Sequence, residues 1–153
     1  MEKTTITASA IISFTEKLED GSSAFYEEMA ERFVENRETF LAFAKESKKN
    51  KTLVVRTYQE TITDALEACF SFEGLDLGRY AIETTLAKEA GYTEVLEMAI
   101  GLEEKANEFY LDITERSQSL LATIPRAFKR VAKKRSGRRL KLQSLLDVAI
   151  DSP

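Results

Sequence analysis

The sequence has no histidine, no tryptophan, one cysteine, two prolines and six glycines in 153 residues. Each shortage excludes something. Without histidine there is no Ser-His-Asp or Cys-His catalytic pair, no imidazole metal ligand and no histidine pH switch. A lone Cys69 cannot form an intramolecular disulfide or a thiolate zinc cluster, and among Leu66, Ala68 and Phe70 it reads as core. Few prolines and glycines, beside 43% hydrophobic and 31% charged residues, favour helices over an all-β chain. No apolar run approaches the roughly 20 residues of a membrane helix, so no membrane partner is expected. The opening residues, with one Lys and an apolar stretch of about five, make a poor signal peptide, and the expected location is the cytoplasm.

Acidic residues are missing from Arg116 to Leu146. Residues 1–115 hold 12 Lys/Arg and 24 Asp/Glu, whereas residues 116–153 hold 10 Lys/Arg and 2 Asp. A basic last helix can pack on an acidic remainder, within the chain or across a dimer, or it can offer a polyanion surface.

Helical spacing dominates what is present. A first helix is expected over about 9–35, with Ile11, Phe14, Leu18, Phe25, Met29 and Phe33 on one stripe. A second is expected from Glu38 to Phe72, burying Phe40, Phe43, Val54, Ile62, Leu66 and Cys69. A loop over 73–78 precedes a short connecting helix expected from Thr84 to Ala90. Thr93 is the expected N-cap of a third helix ending near Ser117, and a fourth runs from about Ile124 to Ala149. Strand signals are sparse. The expectation is one all-α domain over 1–153, a four-helix bundle of two helix hairpins joined by a long crossover containing a short helix.

The halves, about 9–72 and 93–149, resemble each other. At an offset of 84, residues 18–33 match 102–117 at six of sixteen positions: Leu18, Glu19, Phe25, Tyr26, Glu31 and Arg32 recur as Leu102, Glu103, Phe109, Tyr110, Glu115 and Arg116. In the second and fourth helices the offset is 88, and Phe40, Phe43, Ala44 and Lys45 face Phe128, Val131, Ala132 and Lys133.

This doubled pattern, a Glu followed by Phe-Tyr and then a helix of the form F-x-x-apolar-Ala, resembles the rubrerythrin-like branch of the ferritin-like superfamily over nearly the whole chain. The resemblance implies a ferritin-like bundle. In that family each half supplies one Glu and one Glu-x-x-His motif to a di-iron centre. Carried over residue by residue, the two single carboxylates are Glu19 and Glu103. The Glu-x-x-His positions read Ser47…Asn50 and Arg135…Arg138. Four of six ligand positions depart from the pattern, and Arg is a permanent cation that cannot ligate iron. The expected metal and cofactor content is therefore none, with no catalytic residue.

Spacing independently places these residues inward. Ile124, Phe128, Val131, Arg135, Arg138, Leu142, Leu145 and Ala149 form one seam, as do Phe40, Phe43, Ser47, Asn50 and Val54. Arg135 and Arg138 are therefore expected to pair with Glu19 and Glu103, while Ser47 and Asn50 complete the hydrogen bonding. The competing arrangement rotates the fourth helix and leaves both Arg solvated. Tyr26 and Tyr110 are expected beside this site as packed residues with bonded hydroxyls. Glu46 reads as an exposed partner of Lys45. Glu60, Asp64 and Glu67 read as a solvated face. Gly137 weakens its helix, and a close approach or a bend would account for it.

Three functions are open at this point. The foremost is a ferritin-like bundle that has lost its di-iron centre and serves a structural, regulatory or binding role, as a homodimer. The second is a divergent iron-binding oxidase or peroxidase. The third is a polyanion-binding module using Arg126, Lys129, Arg130, Lys133, Lys134, Arg139 and Lys141. Against nucleic acid stand a sequence pI of about 5.1 and the lack of interleaved aromatic residues. No small-molecule ligand is implied.

Overall fold

Every third or fourth residue of the first long segment is apolar, and this stripe sets the architecture. In the computed structural model, which describes residues 5–61, 71–73, 75–117 and 123–151, four long helices pack together. They are α1 (Ala8–Arg32), α2 (Arg37–Thr61), α3 (Tyr92–Arg116) and α4 (Thr123–Asp151). Thr7 caps α1 by accepting a hydrogen bond from the Ala10 amide at 3.1 Å. A 3₁₀ turn over Val34–Asn36 joins α1 to α2. Among the described residues no helix is long and apolar enough to cross a membrane.

Cross-helix contacts give the directions. Lys48 bonds Glu27 and Lys51 bonds Asp20, so α2 runs antiparallel to α1. Asn107 reaches the Ala132 carbonyl and Arg139 reaches Glu104, so α4 runs antiparallel to α3. Tyr26 donates to Glu103 and Tyr110 to Glu19, which makes α3 antiparallel to α1. It follows that α2 and α3 point the same way, and the chain between them must travel the length of the bundle.

That crossover is where the expected short helix fails. Residues 75–91 contain one 3₁₀ turn, Leu77–Tyr80, and Thr84 to Ala90 is not helical. Instead of accepting from amides four residues on, the Leu86 and Ala87 carbonyls accept from Arg32 of α1, and Leu86 is buried against the bundle. The strap is pinned along its course by Arg79 to Glu108 at 2.6 Å, Lys105 to the Ala81 carbonyl at 3.2 Å and Arg32 to the Ala87 carbonyl at 2.6 Å. Leu75, Tyr80 and Leu86 are its buried anchors.

Two smaller expectations also change. The second helix does not continue to Phe72. It is described to Thr61, and Ser71–Glu73 forms a strand antiparallel to Thr5–Thr7, pairing Ile6 with Phe72. Ile62, Asp64, Leu66, Glu67 and Cys69 lie outside the described residues. Thr93 is not the cap of α3, which starts one residue before it behind Gly91.

Among the described residues the core has two apolar clusters. One gathers Ile11, Leu18, Val54, Phe109, Ile113 and Phe128. The other gathers Phe25, Met29, Phe40, Leu96, Leu102 and Leu142. A fully buried polar layer containing Glu19, Ser22, Ser47, Glu103 and Arg135 belongs to neither.

Gly137 is exposed, and a Cβ built there meets nothing within 4 Å, so no close approach requires it. Gly137→Ala should stabilise the protein by about 1 kcal/mol through helix propensity, read as a raised midpoint in urea unfolding.

Candidate functional site

Glu19 sits on the α1 stripe one residue past Leu18, and Glu103 holds the equivalent place one residue past Leu102 on α3. Helical spacing therefore turns both carboxylates into the bundle, and both are fully buried. Arg135 comes from the α4 seam between Val131 and Leu142 and is also fully buried. Its Nη1 lies 2.9 Å from both Glu103 oxygens, and its Nη2 lies 2.7 Å from Glu19 Oε1. One guanidinium thus bridges two carboxylates from different helices. The same Nη2 donates to Ser22 Oγ at 3.0 Å.

Arg138, one turn on, is 2% exposed. Its Nε donates to Glu46 at 2.7 Å and its Nη1 to Ser47 Oγ at 2.9 Å. Its approach to Glu103, at 3.5 Å, is weaker. Its guanidinium also lies over the Phe43 and Tyr26 rings, 5.6 and 5.8 Å from their centroids. Two Glu and two Arg cancel in charge at the centre, and Glu46, a third exposed, closes the rim with one more carboxylate.

The two tyrosines close the other side. Tyr26 donates to Glu103 and Tyr110 to Glu19. These pairs exchange under the repeat: each half sends its tyrosine to the other half's glutamate. Burial raises the Tyr26 pKa well above that of a free phenol, and the neighbouring Glu103 raises it further. Tyr110 is raised for the same reasons, with Glu19 as its neighbour. Burial works against the Arg135 charge, but Glu103 and Glu19 outweigh it and hold its pKa well above the usual value.

Of the residues singled out from sequence, Glu19, Ser47, Glu103, Arg135, Arg138, Tyr26 and Tyr110 meet in this layer. Asn50 does not join it: its amide oxygen and nitrogen have no hydrogen-bond partner among the described residues, although the residue is fully buried. Arg138 does not supply a partner: its Nε and Nη1 go to Glu46 and Ser47, and its buried Nη2, like the Asn50 amide, has no hydrogen-bond partner among the described residues. Glu46 in turn is not an exposed partner of Lys45. Position 46 faces α4, so its carboxylate is drawn to Arg138. Two members were missed. Ser22 was legible as the residue three after Glu19, hence on the same helical face. Glu46 carried no such signal, because only the approach of α4 makes it a partner.

This donor set does not fit a di-iron centre. Among the described residues no three Asp, Glu or Cys side chains cluster to hold a metal ion. The oxygens of Glu19 and Glu103 that would bind one are engaged by Arg135, a cation that has no lone pair to offer. Chemically the layer can hold two carboxylates ionised inside the bundle and fix four helices in register. It presents no free nucleophile. Comparison with family models, with curated proteins and with solved structures finds no match.

Arg135→Leu should destabilise the protein by roughly 3–5 kcal/mol, because it leaves Glu19 and Glu103 buried without their cation. Combining it with Glu19→Gln and Glu103→Gln should recover much of that loss, as seen by denaturant unfolding of the three variants. A loss below about 1 kcal/mol for the single change would rule out a stabilising pairing.

Alkali should unfold the protein through its tyrosines. Tyr26 and Tyr110 are raised, and burial with a bond to Asp112 lifts Tyr80 to about 12. A phenol raised on folding favours the native state fully below the unfolded pKa near 10. That stability is lost as pH climbs from there through the folded value. Unfolding free energy should therefore fall above about pH 10, and absorbance at 295 nm should show Tyr26 and Tyr110 ionising only as the bundle unfolds.

Proposed function

We propose that this chain is a ferritin-like bundle of the rubrerythrin-like type in which an ion-pair network replaces the di-iron centre, and that it is a non-catalytic protein with a structural, regulatory or binding role. The observation that carries the reading is Arg135. It stands at the position where that family's repeat calls for a metal-binding Glu, and its guanidinium spans the two surviving carboxylates at 2.7 and 2.9 Å. A single charge-delocalised cation takes the electrostatic place of the metals. The direction of the helices supports the same reading, since a ferritin-like bundle also joins its two hairpins by one long crossover. So does the reciprocal Tyr-to-Glu exchange between halves. A cytoplasmic homodimer completes the proposal.

Protein purified from iron-replete cells should contain no stoichiometric iron by elemental analysis and should not speed ferrous oxidation by peroxide. Two irons per chain, the family's complement, would instead establish the divergent oxidase or peroxidase. The combined change Ser47→Glu, Asn50→His, Arg135→Glu and Arg138→His should confer ferrous or zinc binding on a chain that otherwise lacks it, measured by calorimetric titration.

A further inference from the structure

The basic residues of α4 are not spread evenly around it. Arg139 is paired with Glu104 at 3.0 Å, and Arg135 and Arg138 are buried in the polar layer. Arg126, Lys129, Arg130 and Lys133 are all exposed and line one open groove between α3 and α4, with Leu111 and Asn107 on the facing helix. The groove holds no acidic side chain. None of its four cations forms an ion pair or hydrogen bond among the described residues. Two acids of α3 that could have compensated them are turned to the crossover strap, Glu108 to Arg79 and Asp112 to Tyr80. The Asn107 amide is tied to the Ala132 carbonyl at 2.7 Å, which fixes the groove floor.

From these observations we infer that the α3–α4 groove is a docking site for an acidic polypeptide segment, a short run of Asp and Glu interrupted by an aliphatic residue. The cations extend about 10 Å along the helix, enough for two or three carboxylates of an extended chain. Arginine and lysine engage carboxylates through charge-assisted hydrogen bonds. Leu111, 48% exposed at the groove wall, offers the apolar contact that an aliphatic side chain would take and that free phosphate would not. Nucleic acid fits less well. No aromatic side chain lines the groove for base stacking, and a polyanion running past it meets residues 1–115, with 12 Lys/Arg against 24 Asp/Glu.

The test is a fluorescence-anisotropy titration of the intact protein with a labelled peptide of about twelve residues, Asp and Glu with two leucines, beside oligothymidylate of equal charge. The peptide should bind more tightly than the oligonucleotide, and its affinity should fall as salt rises. Lys129→Glu with Arg130→Glu should weaken it at least about tenfold, and the milder Arg126→Ala with Lys133→Ala about threefold or more. Lys134→Glu with Lys141→Glu makes the same change in net charge outside the groove and should shift affinity less than about threefold. Thermal unfolding checks that each variant is folded. Equal losses from both charge-reversal pairs, equal or tighter binding of the oligonucleotide, or no peptide binding at about 1 mM would each overturn the inference. None of these outcomes depends on the iron content that tests the proposed function.

Discussion

The insertion of one guanidinium between two buried carboxylates constrains nearly everything else in this bundle. Glu19, Glu103 and Arg135 come from three different helices and are all fully buried. Desolvating any of them alone would cost several kcal/mol, so each can be inside only if the other two are in place. The polar layer therefore acts less as a source of stability than as a register mark. A sliding or rotation of α4 by one residue would withdraw Arg135 and leave two unpaired carboxylates between the apolar clusters. Apolar residues alone tolerate such shifts far better.

The tyrosines extend that constraint into symmetry. Each half gives a glutamate and a tyrosine, and each tyrosine hydroxyl serves the other half's glutamate. The fourth and second helices break the symmetry. Where α4 carries Arg135 and Arg138, α2 carries Ser47 and Asn50, smaller residues that make room for the long arginine side chains. The layer stays near charge neutrality because both cations come from one helix and the buried anions from the other two. Surface ion pairs such as Lys51 with Asp20 add little by comparison.

The parts legible in the sequence are those governed by local periodicity. The seam of α4 ran through Val131, Arg135, Arg138 and Leu142 whatever lay opposite, so the burial of two arginines could be read from spacing, and charge pairing then asked for Glu19 and Glu103. Ser22 shared a face with Glu19 and was equally legible. Three things were not. The strap over 84–90 has helix-forming residues, yet its Leu86 and Ala87 carbonyls are taken by Arg32 of α1 instead of by helical amides. Glu46 looked like a surface acid because its partner lies 92 positions away. Asn50 looked like a network member, but Arg138 turns its Nε and Nη1 to Glu46 and Ser47, and neither its Nη2 nor the Asn50 amide has a partner among the described residues.

By itself, then, the chain determined which seams of the four long helices face inward and which side-chain chemistry is lacking, because these follow from composition and from the 3.6-residue period. Only the tertiary structure decided which carboxylate each arginine takes, that Asn50 is left aside, and that four cations of α4 share one uncompensated groove. Those outcomes depend on distances between helices remote in sequence. No periodicity within a single helix carries that information.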